Sequence, residues 1–196
     1  MNFNNIVDEA LFFANSVLEV EVKGWDYAIV DYDTPKHLIE EIVMAYADKE
    51  NAIIVNPFFE KILKVQLIKA NLSLELMIPI IYSKVLHEVR HAWQFQHPES
   101  FNLDFNQTYG KIGLQYIKNP LETDSYALEE AFLKFVFDDE NFKVNFGEKF
   151  TNVDKKYFDN LHQKADELYA TYLKQFEKYG DILIDSFGEN FKENIC

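Results

Sequence analysis

The segment from His87 to His97, HEVRHAWQFQH, constrains the fold most because it places two histidines four residues apart. On an α-helix, such residues lie about 40° apart around the axis and roughly 6 Å apart along it. Both imidazole rings can therefore reach one metal ion, and imidazole is a common zinc ligand. The nearby Val85, Val89 and Ala92 are apolar, which predicts that this helix packs in the core of a domain.

The glutamate after the first histidine, Glu88, completes the pattern H-E-x-x-H. Zinc held by His87 and His91 would lower the pKa of a water molecule, and the adjacent carboxylate could accept its proton as a general base. This arrangement is typical of zinc metallopeptidases. The alternative interpretation is a pair of ordinary hydrogen-bonded helix histidines that hold no metal.

Zinc would need a third protein ligand, and His97 is one candidate. Counted from His87, the histidines fall at offsets of 4 and 10, as in the metzincin pattern H-E-x-x-H-x-x-G-x-x-H. That pattern needs a glycine where this chain has Gln94, and it needs a methionine turn after the third histidine, where this sequence has no methionine. We therefore expect His97 to lie at the C-terminus of the helix, about 15 Å along its axis from His87.

Acidic residues on a second predicted helix are the other candidates. This helix begins at Asn119, an N-cap residue that a proline follows. Glu122 lies in its first turn and would complete a set of two histidines and one glutamate, with Asp124 as the alternative ligand. Glu122 could instead serve only the capping box of the helix. Two turns further on, Glu129 and Glu130 are predicted to face solvent.

With these residues the chain resembles the compact gluzincins, above all the minigluzincins and the ImmA/IrrE-type peptidases. The resemblance covers about residues 50–135, including the strand NAIIVNP before the histidine helix. In this clan a glutamate ligand on the next helix is followed three residues later by a small residue, here Ser125. The resemblance implies zinc bound by His87, His91 and Glu122, with Glu88 as the base.

The chain departs from this family at Tyr126, where many relatives have an aspartate that hydrogen-bonds a ligand histidine. Asp124 or a residue from elsewhere in the chain would have to take that role. Gluzincins often add a tyrosine or histidine that stabilises the oxyanion of the reaction. The candidates for this role are Tyr109, Tyr116, Tyr126 and His97. Arg90 is predicted to form a salt bridge.

Hydrophobic periodicity predicts an α+β, helix-rich single domain with a small sheet over residues 1–196. The resemblance makes it zincin-like, with a core of about 50–135 between N- and C-terminal helices. Strands are predicted at 26–33 and 51–57. Helices are predicted at 4–20, 34–49, 58–70, 74 or 79 to 96, 119–137 and 154–179, the last ending at Gly180. The stretches 99–118 and 138–153 are predicted to be irregular.

The net charge of −14 disfavours partners that are themselves anionic, namely nucleic acid and membrane surfaces. The single cysteine, Cys196, cannot form an internal disulfide, and the N-terminal sequence does not have the pattern of a signal peptide. The longest uncharged run, LMIPIIYS, is too short to span a bilayer. These features predict a cytoplasmic protein, and they do not predict its oligomeric state.

The sequence thus predicts a zinc-dependent peptidase that acts on a peptide or protein substrate. The alternative is an interaction protein built on a catalytically silent zincin scaffold, or an acidic inhibitor that mimics DNA. The charge of −14 favours this alternative, although the acids are scattered along the chain. A purely structural zinc site would usually have four protein ligands and several cysteines, which this sequence lacks.

Overall fold

The computed structural model describes residues 2–30, 43–100, 119–140, 142–143 and 155–187, with side chains up to residue 180. Its helices are α1 (Phe3–Leu18), α2 (Phe59–Lys69), α3 (Met77–Gln96), α4 (Pro120–Phe137) and α5 (Lys155–Phe187). Its strands are β1 (Gly24–Tyr27), β2 (Met44–Ala47) and β3 (Ala52–Val55). The predicted α+β class, rich in helix and with a small sheet, is confirmed. None of the described helices is long and apolar enough to cross a membrane.

The three strands form one mixed sheet in the order β1-β3-β2. Strand β1 runs parallel to β3, and β2 runs antiparallel to it. This arrangement puts β2 at an edge of the sheet, beside α3. The predicted strand at 26–33 is observed over Gly24–Tyr27, and residues 31–33 lie outside the described part of the chain.

Strand β2 shows that the predicted helix over 34–49 was wrong in its last part; residues 34–42 are not among those described. Met44–Ala47 pairs with Ala52–Val55 in a hairpin. Asn51 closes the hairpin with a φ of 50°, a left-handed conformation that asparagine tolerates better than most residues. Pairing with the following strand therefore decides the structure of this segment, whatever its local preference for helix.

Four helices meet at a cluster of aromatic rings. The cluster takes one fully buried side chain from each of α1, α3, α4 and α5: Phe13, Tyr82, Phe132 and Phe176. Their ring centroids lie 5.5–6.4 Å apart in the tilted, stacked and edge-on arrangements that aromatic pairs prefer. The cluster holds α3 against α4 and so sets the geometry of the residues between them.

Helix α5 continues to Phe187, so the prediction that it ends at Gly180 was wrong. A Cβ atom on residue 180 would lie only 3.1 Å from Cζ of Phe135 on α4. Glycine therefore allows α5 to approach α4 closely within the helix, and it does not terminate the helix here.

Phe13→Ala is expected to lower the free energy of unfolding by about 3–5 kcal/mol, because it leaves a cavity among four helices. The neighbouring Phe12 provides a matched control, since its side chain is 60% exposed. Phe12→Ala should change stability by much less. Urea denaturation followed by circular dichroism measures both variants, and equal losses would contradict this account of the core.

Candidate metal centre

Helix α3 carries the two histidines of the H-E-x-x-H pattern. It begins at Met77, after a short 3₁₀ turn at Leu74–Leu76. Pro79 lies in the first turn, where its missing N–H has no partner to lose within the helix. His87 and His91 are both buried on the side that faces α4.

Helix α4 begins as its sequence predicts and brings Glu122 to these histidines. The side chain of Asn119 accepts a hydrogen bond from the N–H of Leu121, and Pro120 is the first helical residue. The Oε2 atom of Glu122 lies 3.3 Å from Nε2 of His87, and Oε1 lies 3.4 Å from Nε2 of His91. The carboxylate therefore faces both imidazole rings.

The three groups lie close enough together for each to offer an atom to the same metal ion. The two Nε2 atoms of His87 and His91 are 3.2 Å apart, close to their distances from the Glu122 oxygens. A tetrahedral ion with bonds of about 2.0–2.1 Å has ligand atoms about 3.3–3.4 Å apart. His87, His91 and Glu122 are also buried, at 4%, 8% and 6% exposure. His87, His91 and Glu122 thus form a candidate metal-binding group, one that could hold a metal ion.

The charges within this group are suited to a cation. Oε2 of Glu122 is buried and accepts no hydrogen bond from the described residues. Burial would lower the pKa of His87, but the carboxylates of Glu122 and Glu129 outweigh it and raise the pKa to about 10. Burial raises the pKa of Glu122, yet the two histidines outweigh this effect and lower it. Without a metal, protons on the imidazoles balance the buried carboxylates, and a metal ion would replace those protons.

Glu129 fills the role that the sequence left unassigned at Tyr126. Its Oε1 accepts a hydrogen bond from Nδ1 of His87 at 2.6 Å, and its Oε2 accepts one from Lys84 at 2.6 Å. Because a carboxylate only accepts, Nδ1 of His87 carries the hydrogen and Nε2 faces Glu122. Glu129 follows Glu122 by two helical turns, which puts both on the same face of α4. This spacing was a signal that the sequence analysis missed.

The prediction that Glu129 and Glu130 face solvent was wrong, since both are buried. Helix α4 lies between α3 and α5, so acids on either side of it are covered. Glu130 accepts a hydrogen bond from Nδ1 of His162 on α5, at 2.8 Å, and lies 3.7 Å from Nζ of Lys134.

The other two candidates for the third ligand, Asp124 and His97, contact other residues and do not belong to the metal-binding group. Asp124 accepts hydrogen bonds from Nε of Arg90, at 2.7 Å, and from Lys164, at 2.9 Å. The salt bridge predicted for Arg90 is therefore confirmed. His97 is the C-cap residue of α3, and its ring stacks on Trp93, with the ring centroids 4.5 Å apart. Its position at the helix C-terminus is as predicted.

The predicted base, Glu88, is half-buried and contacts the sheet. Its Oε2 accepts a hydrogen bond from the backbone N–H of Tyr46 on β2, at 2.8 Å. Among the predicted oxyanion-stabilising residues, Tyr126 lies beside the metal-binding group, with its ring centroid 4.7 Å from that of His87. Tyr109 and Tyr116 lie outside the described residues.

Comparison of the chain with known protein families, curated proteins and solved structures finds no match. The fold and the site define a helix-rich α+β protein with a buried group of two histidines and one glutamate that could hold a metal ion. The resemblance to compact gluzincins stays a prediction that depends on the H-E-x-x-H residues and Glu122.

Proposed function

We propose that this protein is a zinc-dependent peptidase in which His87, His91 and Glu122 hold the metal. The observation that carries the proposal is a buried group in which the two Nε2 atoms lie 3.2 Å apart and each lies 3.3–3.4 Å from one oxygen of Glu122. Nitrogen and oxygen ligands at this spacing suit zinc. Three ligands from the described residues would leave one tetrahedral position open, as in catalytic sites, whereas structural sites are usually closed by four.

Glu88 is the general base in this proposal. Bound zinc would supply a water molecule of lowered pKa and would polarise a substrate carbonyl. The N–H of Tyr46 fixes one oxygen of the Glu88 carboxylate, which orients the other to accept a proton and later pass it to the leaving amine. The neighbouring position of Glu88 on α3, directly after His87, keeps it close to the metal-binding group without making it a ligand.

The position of β2 supports a peptide as the substrate. Among the residues that the structure describes, β2 pairs only with β3, and its other edge has no strand partner. Addition of a peptide strand to a sheet edge is a common mode of peptide recognition. Because Tyr46 on this strand contacts Glu88, a peptide bound there would lie beside the proposed base.

The direct test is to titrate the metal-free protein with zinc and to assay a fluorogenic peptide library. We expect one zinc ion per chain by elemental analysis, cleavage only with zinc, and loss of cleavage on chelation with recovery on re-addition. Zinc uptake should weaken as the pH falls, because the pKa of about 10 of His87 makes protons strong competitors. Full zinc occupancy with no cleavage of any peptide would contradict the peptidase while leaving the metal centre in place.

A further inference from the structure

The side chain of Gln94 is fully buried three residues after His91 on α3, and it reaches across to α4. Its Nε2 donates to the carbonyl oxygen of Leu121, at 3.0 Å, and to Oδ2 of Asp124, at 2.9 Å. Both partners can only accept hydrogen bonds, so they fix which end of the Gln94 amide carries hydrogens. The amide oxygen, Oε1, therefore faces Nδ1 of His91, 2.9 Å away.

An amide oxygen also only accepts, so Nδ1 of His91 must carry the hydrogen between them. In the neutral ring, the form that binds a metal, the lone pair of Nε2 then faces His87 and Glu122. We infer that Gln94 is a positioning residue that holds His91 in the tautomer that a metal ion needs, an inference that rests on the metal site proposed above. Oγ of Ser125 lies 3.5 Å from the same Nδ1, but a hydroxyl donates or accepts and cannot select a tautomer.

The acceptor that fixes Gln94 is itself held in place. Arg90 on α3 and Lys164 on α5 donate to the two carboxylate oxygens of Asp124, at 2.7 Å and 2.9 Å. Three helices thus contribute to the orientation of one amide group.

The two histidines are held by different chemistry. His87 donates to the charged Glu129, which Lys84 neutralises, whereas His91 donates to a neutral amide. A neutral acceptor fixes the ring without placing another negative charge beside Glu122 in a buried site. Gln94 also occupies the position at which the metzincin pattern requires glycine. The absence of that glycine argued against His97 as a ligand, and the glutamine found there orients His91.

Gln94→Met tests this inference, because methionine keeps the length of the side chain and forms only weak hydrogen bonds. Competition with a chelator should show zinc binding weakened by about 10- to 100-fold. In ¹H–¹⁵N spectra of the zinc-loaded protein, the Nδ1–H signal of His91 should shift or be lost to solvent exchange. The signal of His87, held by Glu129, should remain as an internal reference.

Ser83→Ala is the matched control. Ser83 is buried on the same helix and donates to the carbonyl of Ile80, so the variant loses a hydrogen bond that involves neither imidazole. An affinity loss in Gln94→Met no larger than in Ser83→Ala would overturn the inference. If Gln94→Met fails to fold, Gln94→Asn replaces it, since its shorter side chain cannot keep both contacts.

The outcomes separate this inference from the proposed function. A wild-type protein that binds no zinc would overturn both. A wild-type protein that binds zinc and cleaves no peptide would overturn the peptidase alone, because the role of Gln94 concerns metal affinity and the tautomer of His91.

Discussion

Glu122→Gln is expected to weaken zinc binding by a hundredfold or more. Glutamine keeps the shape of the side chain but removes its charge, which leaves two neutral imidazoles to hold a divalent cation. Breaking a buried charge pair costs about 3–5 kcal/mol, and each 1.4 kcal/mol is a factor of ten in affinity. Chelator competition followed by elemental analysis measures the loss.

Two controls make the assignment of Glu122 specific. Glu130→Gln removes an equally buried acid from the same helix, eight residues later, where its partner is His162. It should lower stability and leave zinc affinity unchanged. His97→Ala removes the competing candidate ligand and should also keep zinc. If His97→Ala loses the metal and Glu122→Gln retains it, the proposed ligand set is wrong.

Glu88→Gln is expected to retain zinc and to reduce peptide cleavage by about 10²- to 10⁴-fold, the usual contribution of a general base. The amide oxygen of glutamine can still accept the hydrogen bond from Tyr46, so the local structure should persist. The variant cannot accept a proton from water. Steady-state cleavage rates at full zinc occupancy measure the effect. The decrease should appear in kcat and not in KM.

Glu99→Gln controls for the removal of one negative charge. Glu99 is exposed just after α3, and its replacement should leave cleavage unchanged. Cleavage that persists in Glu88→Gln would exclude the proposed base. A biological effect of the protein that survives this substitution would instead favour the interaction protein, which needs an intact surface but no proton acceptor.

The sequence predicted the metal-binding group because each of its parts is set locally. The spacing of His87 and His91 determines their separation once the segment is helical. The signal at Asn119 and the following proline fixes the start of α4, and therefore the turn on which Glu122 lies. Only the packing of α3 against α4 depends on distant parts of the chain. The resemblance to gluzincins led us to expect that packing.

The parts that the sequence did not predict depend on neighbours that are distant along the chain. Met44–Ala47 is a strand because it pairs with β3, and its four residues contain no clear alternation that would show this. Glu129 and Glu130 are buried because α3 and α5 cover opposite sides of α4. Gln94 can orient His91 because it contacts Leu121 and Asp124 on α4. The sequence showed Gln94 only as the residue that replaces the glycine of the metzincin pattern.

Helix α4 carries four buried acids, and three of them have a lysine, arginine or distant histidine as a fixed partner. Among the described residues, the exception is Glu122, which faces only the two Nε2 atoms of the metal-binding group. An ion bound there would complete the charge balance of the protein interior, in addition to any part in hydrolysis. The concentration of that ion would then set the stability of the folded chain, because binding of a ligand to the folded state adds to the free energy of unfolding.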